Sequence, residues 1–204
     1  RVLRAMSTPL LGHLDPEFLE IMNETGELLR YVFQTENNLT LAMSGTGSAG
    51  MDTILSNLLE PGDKAIVAVC GVFGERMVDI AGRSGAQVKV VQGEWGRIIE
   101  PEAVEAAFKE MPAAKLLAVV HGETSTGILQ PLTDLAAIAH RYGALLAIDC
   151  VTSLGGAPVL IDEWGVDAAY SGTQKCLSCP PGLSPVTLNE KARAVLQRRK
   201  TKVP

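Results

Sequence analysis

Lys175 lies in Tyr170-Ser-Gly-Thr-Gln-Lys175, between a short apolar run and the Pro180-Pro-Gly182 bend. Lysine becomes a nucleophile when burial or a neighbouring charge makes its ammonium acidic, and its use is then a Schiff base to a carbonyl compound. Taken alone the residue says little, because most lysines are solvated. Asp149 closes the apolar run Ala144-Leu-Leu-Ala-Ile148. A carboxylate at such depth is costly unless a cation or a strong donor meets it, although it could equally cap the following turn. Ser44-Gly-Thr-Gly-Ser48 opens a helical pattern, and freed N–H groups beside hydroxyls and glycines suit an anion. Gly45-x-Gly47-x-x-Gly50 has the form of a dinucleotide fingerprint, but the acidic residue this needs after the next strand is missing, since that strand ends Val69-Cys70-Gly71. A plain capped helix remains the alternative. Phe73 follows Gly71 at a strand end and is either a core plug or a flat surface offered to an aromatic ligand. The loop His121-Gly-Glu-Thr-Ser-Thr-Gly127 is dense in hydroxyls, which a turn would also use, and His121 alone reads as a packed histidine.

The elements that must position these residues follow from the apolar periodicity. Asp15-Pro16 caps a helix that runs to Phe33, and Asn37-Asn38 turns the chain into the strand Leu39 to Met43. Helix Ala49 to Leu59 follows and stops at Pro61-Gly62-Asp63. Strands then fall at Ala65 to Val69, Ala86 to Val91, Leu116 to Val120, Ala144 to Ile148 and Val166 to Tyr170. Helices fall at Phe73 to Arg83, Pro101 to Met111 and Thr133 to Tyr142. Strands that are apolar throughout are buried on both faces, as parallel strands under helices are. The pattern predicts an α/β fold, a three-layer αβα sandwich with a mostly parallel sheet, in which Gln87 and Lys89 mark an edge. Ligands in such sheets bind beyond the carboxyl ends of the strands, where every residue singled out above falls.

At 204 residues and 47% hydrophobic the chain can bury one sizeable core. A net charge of -5 with interspersed signs leaves no broad positive face for nucleic acid. No long apolar run or signal-peptide pattern argues for a membrane or for export, so the chain reads as intracellular. Four scattered cysteines fit a reducing compartment. Cys176-x-x-Cys179 lacks two further ligands at short spacing, so no metal is expected there and the pair is read as small packing residues.

An acid at a strand end, an anion cradle, an aromatic plate and a lysine together describe one cofactor, pyridoxal 5'-phosphate: the acid keeps the pyridine nitrogen protonated, the turn holds the phosphate, and the lysine bonds the aldehyde. With Gly71-Val-Phe-Gly-Glu-Arg76 and Asp149-Cys-Val-Thr-Ser-Leu-Gly-Gly156 added to the three motifs above, the chain resembles the class V aminotransferases of the fold type I pyridoxal phosphate enzymes. The branch it most resembles is that of the alanine/serine–glyoxylate (serine–pyruvate) aminotransferases.

The resemblance implies that Lys175 forms the internal aldimine and shuttles the proton at the substrate alpha carbon, while Asp149 pairs with the pyridine nitrogen. It places Thr46, Gly47, Ser48 and Gln174 at the phosphate, Phe73 and Val151 on opposite ring faces, and Thr124 at the ring hydroxyl. It further implies an amino acid and a 2-oxo acid as substrates, with serine or alanine giving its amino group to glyoxylate or pyruvate, and a homodimer in the cytoplasm or a peroxisome-like organelle. By this reading residues 1–36 are an N-terminal helical segment, 37–190 the cofactor-binding large domain, and 191–204 a helix end and tail. By the same reading the family's C-terminal small domain, which supplies the arginine for the substrate carboxylate, is not expected within these 204 residues. A class V lyase or desulfurase, or a non-catalytic cofactor-binding or dimer-forming fragment, is the alternative.

Overall fold

The computed structural model describes residues 1–203. The first half of the chain forms α1 (Val2–Met6), α2 (Pro16–Phe33), β1 (Leu39–Ser44), α3 (Gly47–Leu58), β2 (Lys64–Val69), α4 (Val72–Arg83), β3 (Gln87–Gln92) and α5 (Pro101–Glu110). The second half adds β4 (Leu116–Val120), β5 (Gly122–Glu123), β6 (Ile128–Leu129), α6 (Thr133–Arg141), β7 (Leu145–Asp149), α7 (Ile161–Trp164), β8 (Ala168–Tyr170), β9 (Leu183–Leu188) and α8 (Glu190–Gln197). Seven strands make one sheet in the order β1-β9-β8-β7-β4-β2-β3, and β5 with β6 forms a small hairpin.

Every residue of β4 and β7 is buried because helices cover both sides of the sheet. Alternation along a strand divides them between two cores. Leu117 and Val119 meet Phe33, Phe108 and Leu135 from α2, α5 and α6, while Leu116, Ala118 and Val120 face Met51, Leu55 and Met77 from α3 and α4. These are the three layers. From β3 to β8 the pairing is parallel throughout. The chain leaves β2 outward to β3 and then returns to the other side of β2 as β4, so the order reverses between β2 and β4, and a crevice opens beyond their carboxyl ends.

The structure departs from the sequence reading at the other edge. β9, not expected as a strand, inserts between β1 and β8 and pairs antiparallel with both. Pro185 sits within it, opposite Ala42, and its carbonyl accepts from Ser171 N at 2.8 Å. Asp15 does occupy the N-cap position of α2, yet its carboxylate turns back to accept from Gly12 N at 2.6 Å. The apolar pattern of α2 is only partly used: Leu29 and Phe33 are buried, whereas Leu19, Ile21, Met22 and Leu28 are exposed. No helix among the described residues is long and apolar enough to cross a membrane.

Candidate active site

Beyond the carboxyl ends of the strands, one cavity of about 170 Å³ is lined by Thr46, Gly47, Ser48, Phe73, Thr124, Asp149, Val151, Gln174 and Lys175, with Met51, Arg76 and Gly122. Five separate segments contribute, those that follow β1, β2, β4, β7 and β8. Gly45 begins the first with a φ of +125°, and a Cβ there would lie 2.5 Å from Ala49 Cβ, so the turn into α3 requires glycine. At Gly47 a Cβ would lie 2.8 Å from Val151 Cγ2, which lets the helix start approach the β7 loop. Gly45 N donates to Gly182 O at 2.8 Å, tying this turn to the bend after Lys175. Thr46, the N-cap of α3, makes no side-chain capping bond, so the N–H groups of its first turn stand beside the cavity.

Asp149, 3% exposed, is the floor. Its Oδ1 accepts from Val151 N and its Oδ2 from the Tyr170 hydroxyl, both at 2.8 Å. Burial pushes its carboxyl up to about 6 from an ordinary 3.8, the Val151 and Tyr170 bonds pull the other way, and the more distant Glu123 and Arg76 oppose each other. The same burial, with Asp149 beside it, raises the Tyr170 phenol well above its usual range, so that oxygen stays a donor.

Lys175 sits on a turn after β8 that is held from beneath. The Thr173 hydroxyl donates to Pro180 O at 2.7 Å, Cys179 N donates to Thr173 O at 3.0 Å, and Ser184 Oγ donates to Ser171 O at 2.6 Å. The lysine itself is exposed at the cavity wall, as is Gln174.

Phe73 and Arg76 project from α4. The guanidinium lies 5.1 Å from the Phe73 ring centre, and its Nη1 donates to Ser48 Oγ at 3.1 Å. Phe73 is half-buried: it packs against the core on the α3/α4 side of the sheet and also lines the cavity. The sequence motifs assign Arg76 no role, although it lies one helical turn after Phe73. Thr124 Oγ1 approaches Thr152 Oγ1 at 3.5 Å. His121 lies outside the cavity: it is buried, Nδ1 meets Ser153 Oγ at 2.8 Å, the ring stands edge-on to Trp164, and burial holds its pKa down to about 4. Cys70 and Cys150 are buried, whereas Cys176 and Cys179 are exposed rather than packed. No cluster of metal-ligating side chains occurs among the described residues.

A sequence profile of the family Aminotransferase class-V matches residues 5–201. The chain is 44% identical to (S)-ureidoglycine–glyoxylate transaminase of Bacillus subtilis over 98% of its own length and 48% of that protein. It is 45% identical to alanine–glyoxylate aminotransferase of Rattus norvegicus over 99% of its length and 49% of that protein. Among solved structures, alanine–glyoxylate aminotransferase from Nostoc sp. superposes with a TM-score of 0.97 at 50% identity, over 99% of this chain and 53% of that one. The chain thus spans about half the length of the curated relatives it matches. A cysteine desulfurase from Thermococcus onnurineus shares the fold at 18% identity and a TM-score of 0.68.

Proposed function

The chain belongs to the aminotransferase class-V family, and from that premise we propose that it carries the pyridoxal phosphate site of a glyoxylate- or pyruvate-using aminotransferase. The observation that supports this most is that Lys175 and Asp149 line the same cavity. The residues present fit the cofactor. Asp149 is a buried carboxylate whose contacts, Val151 N and the Tyr170 hydroxyl, are both uncharged, so a protonated ring nitrogen would supply the cation it lacks. At the start of α3 the N–H groups of Gly47 and Ser48 are left for a phosphate, while Ala49 N already donates to Thr46 O.

In this reading Thr46, Gly47, Ser48 and Gln174 hold the phosphate, Phe73 and Val151 cover the two ring faces, and Thr124 meets the ring hydroxyl. The bound cofactor supplies an aldehyde that takes up an amino group and a pyridinium ring that accepts the electron pair left when a Cα–H bond breaks. Asp149 would keep the proton on the ring nitrogen. Lys175 Nζ would hold the cofactor by its aldehyde and would take and return the proton at the substrate Cα. Alanine or serine is the proposed donor, and glyoxylate the leading acceptor, because it appears in the names of the relatives reported above. The exposed apolar residues of α2 support a homodimer, and four free cysteines suit the cytoplasm.

The test is spectroscopic. Adding pyridoxal phosphate is expected to produce a visible band that L-alanine or L-serine bleaches and glyoxylate restores. Persistence of the band in Lys175→Ala would contradict the role of that lysine, and sulfide release from cysteine would favour the desulfurase alternative.

A further inference from the structure

Glu123, 1% exposed, is a buried carboxylate that none of the roles above uses. Its Oε2 accepts from Phe73 N at 3.2 Å and from Gly74 N at 3.3 Å. Its Oε1 accepts from Ser125 N at 3.1 Å and from Ser125 Oγ at 2.7 Å, and that hydroxyl accepts from Val72 N at 3.0 Å. All four donors to Glu123 are uncharged. The loop after β4 therefore caps the first turn of the helix that follows β2, across the point where the strand order reverses. Gly71 makes the approach possible: a Cβ there would lie 2.5 Å from Glu123 Cγ, Glu123 Cδ and Ser125 Oγ alike.

A helix start is cheaply capped by an Asp or Ser at its own N-cap, which stays solvated. Here the N-cap is Gly71 with no side chain, and the cap is a desolvated carboxylate brought from fifty positions away in the chain, a costly arrangement if stability were its only use. What it holds is the turn that carries Phe73.

We propose that Glu123 is a positioning residue: by locking the first turn of α4 it sets the height and tilt of the Phe73 ring before the cofactor arrives. This rests on reading the cavity as a pyridoxal phosphate site. In Glu123→Gln, whichever way the amide turns, its NH2 faces at least one backbone N–H that the carboxylate had accepted, so part of the cap is lost without a change of volume.

The experiment is a double-mutant cycle on pyridoxal phosphate affinity and on the visible circular dichroism of the bound chromophore, using wild type, Glu123→Gln, Phe73→Ala and the double variant. Glu123→Gln is expected to weaken binding about tenfold and to reduce the dichroism in the wild-type background, but to change affinity less than about twofold once Phe73 is gone. Ser125→Ala should act in the same direction by about threefold, and it carries the cycle should Glu123→Gln fail to fold. An equal factor in both backgrounds, or no change in either, overturns the positioning role while leaving the cofactor reading intact. If the wild type binds no pyridoxal phosphate, or its band survives Lys175→Ala, the cofactor reading fails and this inference falls with it.

Discussion

The two ends of α3 are finished differently. At its carboxyl end Arg199 Nη1 donates to the carbonyls of Ser56, Asn57 and Leu59, each at 2.8 Å, and Glu60 accepts from Lys200 N, Thr201 N and the Thr201 hydroxyl. Those bonds hold the Glu60 carboxyl down at about 2. At the amino end Thr46 provides no side-chain cap, Gly47 is bare, no acidic residue lies in the first turn, and the cavity there is shared with Asp149. One end satisfies its own orphan groups, and the other leaves them beside a cavity. The missing cap alone does not set this end apart, since α5 and α6 lack one too; what does is that it opens on the cavity lined by Asp149 and Lys175.

The sharpest test of that contrast lies at Asp149. The folded chain holds its proton up to about pH 6, whereas the unfolded chain has lost it by about pH 4. The stability this group allows is therefore present at low pH, falls as pH rises through that window and stays lower above it. Asp149→Asn is expected to stabilise the cofactor-free protein by about 2 to 3 kcal/mol at pH 8, with the gain vanishing near pH 4, as read by urea unfolding at both pH values. The same variant should lose at least tenfold in pyridoxal phosphate affinity. A variant that is destabilised at pH 8 breaks the comparison, because the floor of the open end would then be a structural group.

Arg199→Ala probes the closed end. It strips a charge-assisted donor from three carbonyls, so unfolding free energy should drop by about 2 kcal/mol while cofactor affinity stays within about twofold. A large loss of affinity with little change in stability would mean that the two ends do not divide the work. The smallest effect is expected from Ser48→Ala at the open end. Its hydroxyl meets only Arg76 among the described residues, so stability should move by less than about 0.5 kcal/mol while affinity falls by about 1 kcal/mol in a titration.

Much of this was legible in the sequence because it is local. The bounds of α2 coincide with the run from Pro16 to Phe33, and β2, β4 and β7 appear as unbroken apolar stretches. β9 was not legible, since Ser184, Pro185 and Thr187 interrupt any apolar run and are buried only through pairing with β1 and β8. The nine residues singled out for the cavity share one wall set because each follows a strand or opens a helix, which the topology brings to one edge. Glu123 and Tyr170 escaped notice for the opposite reason. Their partners, Phe73 with Gly74 and Asp149, are set by tertiary contact alone, with no spacing in the chain to announce them. The exposure of Lys175 was equally invisible, because the cover over a loop cannot be read from the loop.

The most direct measurement is to saturate the protein with pyridoxal phosphate, reduce with borohydride, and map the pyridoxyl group by peptide mass spectrometry. Attachment at Lys175 alone, reduced in extent when Asp149 is replaced by Asn, is the predicted result. Attachment scattered over other lysines, or at Lys175 with no dependence on Asp149, would contradict the claim that these two residues grip a single ligand.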